Sequence, residues 1–282
     1  MAELENNDVQ RVKQFKPPSN TPFLVGLFII SSVYIFLIVA MLAADASFTT
    51  PVRFLEAIAS KEIRYSIKLS LVSCSLTTIL SLWVAVPIGY LMSRRKFPLK
   101  GVVDAILDIP IVLPPLVIGL SLLIMFQTRL GQLVESVFPV TYAIPSVILA
   151  QFMVACAFAV RTMRVTFDDI GARQEQVALT LGANHSQAFW RVIMPQARNG
   201  LVTAATIAWA RSLGEFGPIL LFSGATRMRT EVLPTTVFLE LSVGNIEAAV
   251  AVSLIMVIAA VIVLSIARIF GASTVFGKVV GR

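Results

Sequence analysis

The sequence has few charged residues and few of the side chains that carry catalytic or metal chemistry. Only 14% of its 282 residues are Asp, Glu, Lys or Arg, and it contains two cysteines and one histidine. Soluble domains usually have about 25% charged residues, so this composition argues against that class. Cys74 and Cys156 both lie in apolar segments and do not form a disulfide pattern, while a lone His185 gives little basis for a metal site.

The phosphate-binding loop of ATP-hydrolysing proteins is also missing. No Gly-x-x-x-x-Gly-Lys-Ser/Thr segment occurs, so the chain lacks the usual means of holding ATP phosphates. We find no nucleophile and base at usable spacing, which argues against an intramembrane enzyme. The net charge of +7 follows the predicted membrane loops and does not indicate a nucleic-acid surface. The sequence predicts a non-catalytic chain without its own cofactor, driven by a partner or an ion gradient.

Long apolar runs are what the sequence has in abundance. Hydrophobic residues make up 57% of the chain, and the mean hydropathy is +0.84. A membrane-spanning helix needs about 20 mostly apolar residues. The pattern predicts an all-α integral membrane protein with six transmembrane helices, at residues 23–44, 65–92, 102–126, 142–160, 199–222 and 246–268. Residues 48–64 predict a short amphipathic helix at the outer surface.

The distribution of Lys and Arg predicts the orientation of these helices. Basic residues concentrate in residues 1–22, 93–100 and 161–198 and in the C-terminal segment. Because cytoplasmic loops are enriched in Lys and Arg, we predict that both termini and the 161–198 loop are cytoplasmic in a protein of the inner (plasma) membrane. The predicted organisation is a cytoplasmic polar segment at 1–22, a six-helix transmembrane domain at 23–270 and a short cytoplasmic tail at 271–282.

The loop at 161–198 is predicted to contain two short helices separated by a break. Gly182 interrupts a helical run, and Asn184 with Gln187 three residues later is typical of a capping box. Pro195 is predicted to stop the second helix. The small residues Ala178, Gly182 and Ala183 would permit close approach of another surface. The larger side chains of Phe189, Trp190 and Val192 would anchor the loop to the membrane helices.

The spacing in this loop resembles the EAA loop of ABC importer permeases. Gln176-Val177-Ala178, three residues, Gly182, nine residues and Val192-Ile-Met-Pro195 follow the family pattern, with Gln176-Val177 in place of Glu-Ala and Glu175 one position earlier. The resemblance implies the type I importer permease fold, with a coupling helix between helices four and five that enters a groove on an ATPase subunit. The coupling residues it implies are Glu175, Gln176, Val177, Ala178, Leu181, Gly182, Ala183 and Pro195.

The resemblance also implies partners. It implies a homodimer of this chain, two copies of an ATPase subunit that bind ATP and magnesium, and an extracytoplasmic binding protein that delivers the substrate. Two further segments are similar to permeases for tetrahedral oxyanions: the proline-rich residues 107–119, and Ser-Leu-Gly-Glu-Phe-Gly at 212–217. They favour molybdate or tungstate, with sulfate or thiosulfate, phosphate, iron or polyamine as alternatives. A secondary transporter is a further alternative, although only Glu215 is a clear intramembrane acid.

Elementary chemistry supports a pathway role for some of these residues independently. Prolines inside a span free backbone carbonyls, which lipid tolerates only beside protein or a water-filled path. Arg211 and Glu215 are four residues apart and can pair on one helix face; they would lie beside the pathway or at a dimer seam, or would only fix the fifth helix. The candidate pathway or gate residues are Pro114, Pro115, Gly119, Arg211, Gly214, Glu215, Phe216 and Gly217.

Two groups of polar residues are assigned structural roles. Lys100, Asp104 and Asp108 recur every four residues at the start of the third predicted span, which is typical of helix-dipole and surface pairing. The hydroxyl side chains of the second predicted span are expected to hydrogen-bond between helices and not to bind substrate; they are Ser70, Ser73, Ser75, Thr77 and Thr78.

Overall fold

The computed structural model describes residues 21–279, and every regular element in that part of the chain is helical. Residues 1–20 of the predicted polar segment and residues 280–282 of the predicted tail lie outside the described part. The helices are α1 (Thr21–Phe48), α2 (Pro51–Ala59), α3 (Lys61–Arg94), α4 (Lys100–Val112), α5 (Pro115–Gln127), α6 (Arg129–Val137), α7 (Ile144–Asp169), α8 (Ala172–Thr180), α9 (His185–Ala188), α10 (Met194–Leu213), α11 (Gly217–Phe222), α12 (Leu233–Ser242) and α13 (Ile246–Val279), with a π-helical turn (Phe189–Ile193) between α9 and α10.

Four helices in the described residues are long and apolar enough to cross a membrane. They lie at Phe23–Phe48 within α1, at α3, at α7 and at Ile246–Ile269 within α13, and α4 with α5 would form a fifth span if they are counted together. The chain divides into two compact units, of which one contains α1 up to Ser47 and the other contains Phe48 onward. The predicted number of six transmembrane helices is therefore not confirmed.

The third predicted span is bent sharply. α4 and α5 meet at an angle of 111° across the break at Leu113 and Pro114. Pro114 and Pro115 have no backbone N–H to continue the helix, and the residue before a proline is pushed toward extended backbone. Leu113 has φ −65° and ψ 139° accordingly. The third predicted span, at 102–126, is therefore made of two helices, and the bend lies in the proline-rich segment that the sequence analysis singled out.

The fifth predicted span is also interrupted. α10 ends at Leu213, residues 214–216 are not helical, and α11 begins at Gly217 with a proline in its first turn. Proline is favoured at that position because the N–H groups of the first turn have no helical partner. The continuous helix predicted at 199–222 is thus two helices, and α10 starts five residues earlier, at Met194.

The core of the second unit is built from α3, α7 and α10, with small residues where the helices cross. A Cβ on Gly89 of α3 would lie 2.9 Å from the backbone nitrogen of Arg164 in α7. A Cβ on Gly200 of α10 would lie 2.1 Å from the Thr166 hydroxyl oxygen. Small residues allow this close packing of helix backbones, which is the main source of association inside a membrane.

Several polar side chains connect these helices, as the hydroxyl-rich second span predicted. The Ser70 hydroxyl accepts from the Leu233 backbone N–H at 2.8 Å, and the Thr77 hydroxyl donates to the Gln151 side-chain oxygen at 3.2 Å. Ser73, Ser75 and Thr78 instead donate to carbonyls of their own helix. The predicted bonding between helices is confirmed for Ser70 and Thr77.

Two helix ends differ from the predicted boundaries. α7 continues to Asp169, so Arg161 and Arg164, predicted in the loop, belong to a membrane helix. α13 continues to Val279, so most of the predicted tail at 271–282 has helical backbone. A short helix is present within the predicted residues 48–64, but α2 covers only Pro51–Ala59, because α3 already begins at Lys61.

Candidate functional site

The connection between α7 and α10 contains the two short helices and the break that the sequence predicted. α8 ends at Thr180, α9 begins at His185, and Gly182 lies between them with φ +89°. Residues other than glycine rarely adopt this left-handed conformation. The Asn184 side chain accepts from the Gln187 N–H at 2.8 Å, and the Gln187 side chain accepts from the Asn184 N–H at 3.0 Å. The predicted capping box is confirmed.

Most of the predicted coupling residues are accessible in this connection, and we call this group the coupling surface. It comprises Gln176, Val177, Leu181 and Gly182, all exposed, with Ala178 and Ala183 half-buried behind them. Leu181 is 82% exposed, a large fraction for a leucine outside the membrane spans. The short helix α8 exposes Val177, and the exposed Leu181 follows it directly, so apolar side chains are available here to enter a groove on another protein.

Glu175, another of the predicted coupling residues, is buried and does not belong to this exposed surface. It is 8% exposed and faces the membrane helices, where its carboxylate accepts from the Tyr90 hydroxyl at 2.5 Å and from the Arg94 Nε at 3.2 Å. An acid at the start of α8 satisfies these donors and also faces the positive end of the helix dipole. The same contacts account for its burial, because an unpaired carboxylate would not be retained there.

Pro195 does not have the structural role that the sequence predicted. It does not stop the second helix, because the π-helical turn leads directly into α10 and Pro195 occupies the first turn of that helix. The wider π-helical turn precedes the proline, and a first-turn proline removes no helical hydrogen bond. Of the three predicted anchors, Phe189 and Val192 are partly buried but Trp190 is 62% exposed; Ala188 and Ile193 are fully buried and anchor the segment instead.

The two predicted pathway segments meet where their helices are broken. A Cβ on Gly119 of α5 would lie 2.7 Å from the Pro218 Cα, and a Cβ on Gly217 would lie 3.2 Å from the Pro115 Cβ. α5 and α11 therefore cross in backbone contact, with the Pro114-Pro115 break beside the Gly214–Phe216 break. Phe216 is partly buried and contacts Phe238, with 5.4 Å between ring centroids.

Arg211 and Glu215 form the predicted pair at the second break. Arg211 Nη2 lies 2.7 Å from Glu215 Oε1, and the guanidinium carbon is 5.0 Å from the centre of the Phe158 ring. The Glu215 side chain is buried, whereas the Arg211 side chain is 39% exposed. The acid thus neutralises part of the arginine charge from inside, while the arginine keeps one accessible side.

Sequence reasoning missed a buried amide next to this break. Gln151 of α7 is 1% exposed, and its amide nitrogen donates to the Ser212 carbonyl at 3.2 Å, close to the end of α10. Its side-chain oxygen accepts from Thr77 of α3. A glutamine inside an otherwise apolar predicted span was the available signal, because buried amides require partners.

Sequence reasoning also left the partners of the α4 acids unidentified. Asp104 accepts from Arg164 of α7, and Asp108 lies 3.7 Å from Arg161. These are ion pairs between two helices, beyond the dipole and surface pairing predicted for the acids. The two acids are four residues apart and the two arginines three. The partners lie on different helices, so no local sequence pattern revealed the pairing.

Comparison with known proteins identifies the family. The family described as "Binding-protein-dependent transport system inner membrane component" matches residues 85–275, which include both regions described above. The chain belongs to this family. It is a permease of the ABC transporter class and a non-catalytic subunit, since ATPase activity in this class lies in a separate chain.

Individual relatives of this permease include proteins of molybdenum and sulfate transport systems. It is 32% identical over 250 residues to the molybdenum transport system permease protein ModB of Mycobacterium tuberculosis, covering 88% of this chain and 94% of the relative. It is 28% identical over 215 residues to the sulfate transport system permease protein CysT of Escherichia coli, covering 75% and 78%.

A solved structure supports the fold of the permease. A chain of the bacterial alginate ABC transporter, crystallised with an alginate-bound periplasmic protein, matches with a TM-score of 0.70 at 15% identity, covering 88% of this chain and 94% of that one. The all-helical fold of an ABC permease is thereby established.

Proposed function

We propose that this permease is the membrane-spanning subunit of an importer for a tetrahedral oxyanion, with molybdate or tungstate as the favoured substrate. The observation that carries the proposal is the 32% identity to a molybdenum permease over 94% of that protein's length. The sulfate permease is less similar and covers less of the chain. Sulfate is therefore the second candidate, since the same tetrahedral dianion chemistry serves both.

The coupling surface is proposed to bind the ATPase subunit. Gln176, Val177, Leu181 and Gly182 provide the exposed contact, and Ala178 and Ala183 allow close approach of the groove wall. Pro195 keeps the following α10 rigid from its first turn. Two copies of this chain would present two such surfaces to two ATPase subunits, which bind ATP and magnesium. A stiff helix transmits displacement, whereas a flexible loop would absorb it.

The meeting of the two helix breaks is proposed to form the pathway or gate. Broken helices expose backbone groups that a water-filled path can solvate. Arg211, with one accessible side, attracts an anion, and Glu215 beneath it prevents the arginine from holding that anion tightly. The other proposed pathway residues are Pro114, Pro115, Gly119, Gly214, Phe216 and Gly217.

The transport cycle follows from these two regions. An extracytoplasmic binding protein delivers the oxyanion to the outward-open dimer, whose termini and α8 lie on the cytoplasmic side. ATP binding brings the ATPase subunits together and moves α8, and hydrolysis returns the pathway to the inward-open state. α3 spans about 51 Å for its 34 residues, so one rigid helix links the α8 end of the molecule to the opposite face.

The test is uptake of labelled molybdate by vesicles that contain this permease, its ATPase and its binding protein. Uptake that requires ATP and is blocked by excess tungstate but not by sulfate is expected. Uptake blocked equally by sulfate would transfer the assignment to a sulfate importer. Uptake driven by an ion gradient in the absence of ATP would contradict the importer mechanism altogether.

A further inference from the structure

α8 is joined to its neighbours through glycines on both sides. Gly171 precedes its first residue and Gly182 follows its last turn, and a Cβ on either glycine would meet no described atom within 4 Å. No side chain caps the N-terminus of α8 among the described residues. The connections at both ends are therefore poorly suited to passing a force from α8 to α7 or α10.

One side chain attaches α8 firmly to the membrane helices. Of the nine residues of α8, all within the described part of the chain, only Glu175 is buried. Its two oxygens are used separately: Oε1 accepts from the Tyr90 hydroxyl at 2.5 Å, and Oε2 accepts from Arg94 Nε at 3.2 Å. Hydrogen bonds to a carboxylate are stronger and more directional than those between neutral groups.

Arg94 extends this attachment to α7. Its Nη2 donates to the carbonyl of Ile170 at 2.5 Å, and Ile170 is the residue directly after α7. The Tyr90 ring contacts Phe167 of α7 and Phe189 of the π-helical turn, with ring centroids 5.7 Å and 4.8 Å apart. The end of α3 thus contacts the end of α7, the π-helical turn before α10 and, through Glu175, α8.

We propose that Glu175 is the positioning residue that makes α8 move as one body with α3 and α7. This inference depends on the proposed function, because the force would come from an ATPase bound to the coupling surface. When α8 is displaced, Tyr90 and Arg94 receive the displacement through the carboxylate. Glu175 therefore acts on the inner side of α8, opposite the face that binds the partner.

The test variant is Glu175→Gln, which keeps the size but removes the charge and one acceptor. A glutamine amide has only one acceptor oxygen, which the donor-only Arg94 requires, so Tyr90 can no longer donate and could only accept from the amide; both contacts also lose the carboxylate charge. In vesicles containing the complete transporter, we expect a normal amount of bound ATPase subunit and an ATPase rate within about twofold of wild type. Molybdate taken up per ATP hydrolysed should fall about tenfold, the effect of losing one hydrogen bond to a charged group.

Tyr90→Phe provides a second, milder variant because it removes one hydrogen bond and keeps the ring packing. It should lower uptake per ATP in the same direction, and the double variant should lose little more than Glu175→Gln does, since both changes remove the same contact. The control is Glu56→Gln, an acid with a 63% exposed side chain in α2, which should leave uptake per ATP unchanged.

A distance measurement separates this inference from the proposed substrate. Spin labels at the exposed positions Leu91 of α3 and Arg173 of α8, with Cys74 and Cys156 replaced by alanine, report how α8 lies on α3. In the wild-type background the distance within a chain should stay narrow with and without ATP, and in Glu175→Gln it should broaden when ATP is added. This readout does not require that molybdate is the substrate.

Three results would overturn the inference. The first is a narrow distance in Glu175→Gln under all conditions. The second is an uptake per ATP in Glu175→Gln that equals that of the wild type, when the wild type transports molybdate. The third is loss of the ATPase subunit from the Glu175→Gln complex, because Glu175 would then act on the partner side. Absence of molybdate uptake by the wild type, with the distances behaving as expected, would refute the substrate and keep the positioning role.

Discussion

Gly119 and Pro218 approach so closely that a Cβ on the glycine would lie 2.7 Å from the Cα atom of the proline. The same hypothetical Cβ would lie 2.9 Å from the Pro218 carbonyl oxygen, so the obstacle is backbone and cannot rotate away. This contact joins the bent third segment to the interrupted fifth one. It depends on the absence of a side chain at one position of α5.

Gly119→Ala should therefore separate α5 from α11. We expect a loss of about 1–3 kcal/mol of stability, the usual cost of overpacking, and a loss of uptake, because both helix breaks lie at this contact. Thermal unfolding of the purified permease in detergent measures the first effect. Gly101→Ala in α4 is the matched control, since a Cβ there meets no described atom within 4 Å. Equal unfolding temperatures for the two variants would contradict the observed packing.

Gly182→Trp should abolish transport without preventing membrane insertion. The Gly182 φ of +89° strains any other residue by about 1–3 kcal/mol, and an indole on the coupling surface would block entry into the ATPase groove. Gly244→Trp is the control for strain, because Gly244 has φ +78° and equally open surroundings among the described residues. Uptake is compared at equal membrane levels; normal uptake by Gly182→Trp would end the coupling assignment.

The ion pair between Asp104 and Arg164 should stabilise the attachment of α4 to α7. No residue of α4 is buried in the described structure, so polar contacts contribute much of its attachment. The side chains are 37% and 31% exposed, and solvent screening limits the coupling energy to about 0.5–1 kcal/mol. A double-mutant cycle with Asp104→Asn and Arg164→Gln measures it by thermal unfolding. Strictly additive effects would show that the pair contributes nothing.

Glu231 should make stability depend on pH in the direction opposite to an ordinary carboxylate. Its side chain is fully buried in the connection between α11 and α12. Burial raises the pKa of this carboxyl, and hydrogen bonds from Thr236 and Met228 together with the charge of Arg227 offset part of the rise. The folded protein therefore binds this proton more tightly than the unfolded chain, and the resulting stability is lost as pH rises through the folded pKa.

The corresponding variant is Glu231→Gln, which stays neutral at every pH. At pH 8 its unfolding temperature should exceed that of the wild type by a few degrees, which corresponds to about 1 kcal/mol of stability. This difference in unfolding temperature should shrink toward pH 5. Glu56→Gln, at an exposed position, should show no such trend. A wild type that is more stable than Glu231→Gln at pH 8 would show that the ionised carboxylate has better partners than those described.

Sequence reasoning succeeded where the deciding contacts are local. The break at Gly182 and the capping box at Asn184 and Gln187 involve residues three or fewer positions apart, so their spacing in the chain contains the required information. The Arg211–Glu215 pair is equally local, one helical turn long. Reasoning failed at Pro195, because the π-helical turn that accommodates this proline has no signature in the residue types.

The sequence by itself determined the membrane class, the division of the 161–198 loop into two short helices and the proline-rich segment where the third span bends, since composition, glycine and proline act through the nearest residues. Only the tertiary structure decided that Glu175 faces inward, because its partner Tyr90 is 85 residues away. It also decided that Gly119 meets Pro218 and that Gln151 reaches Ser212. Contacts between distant helices depend on how whole helices pack, which no local pattern encodes.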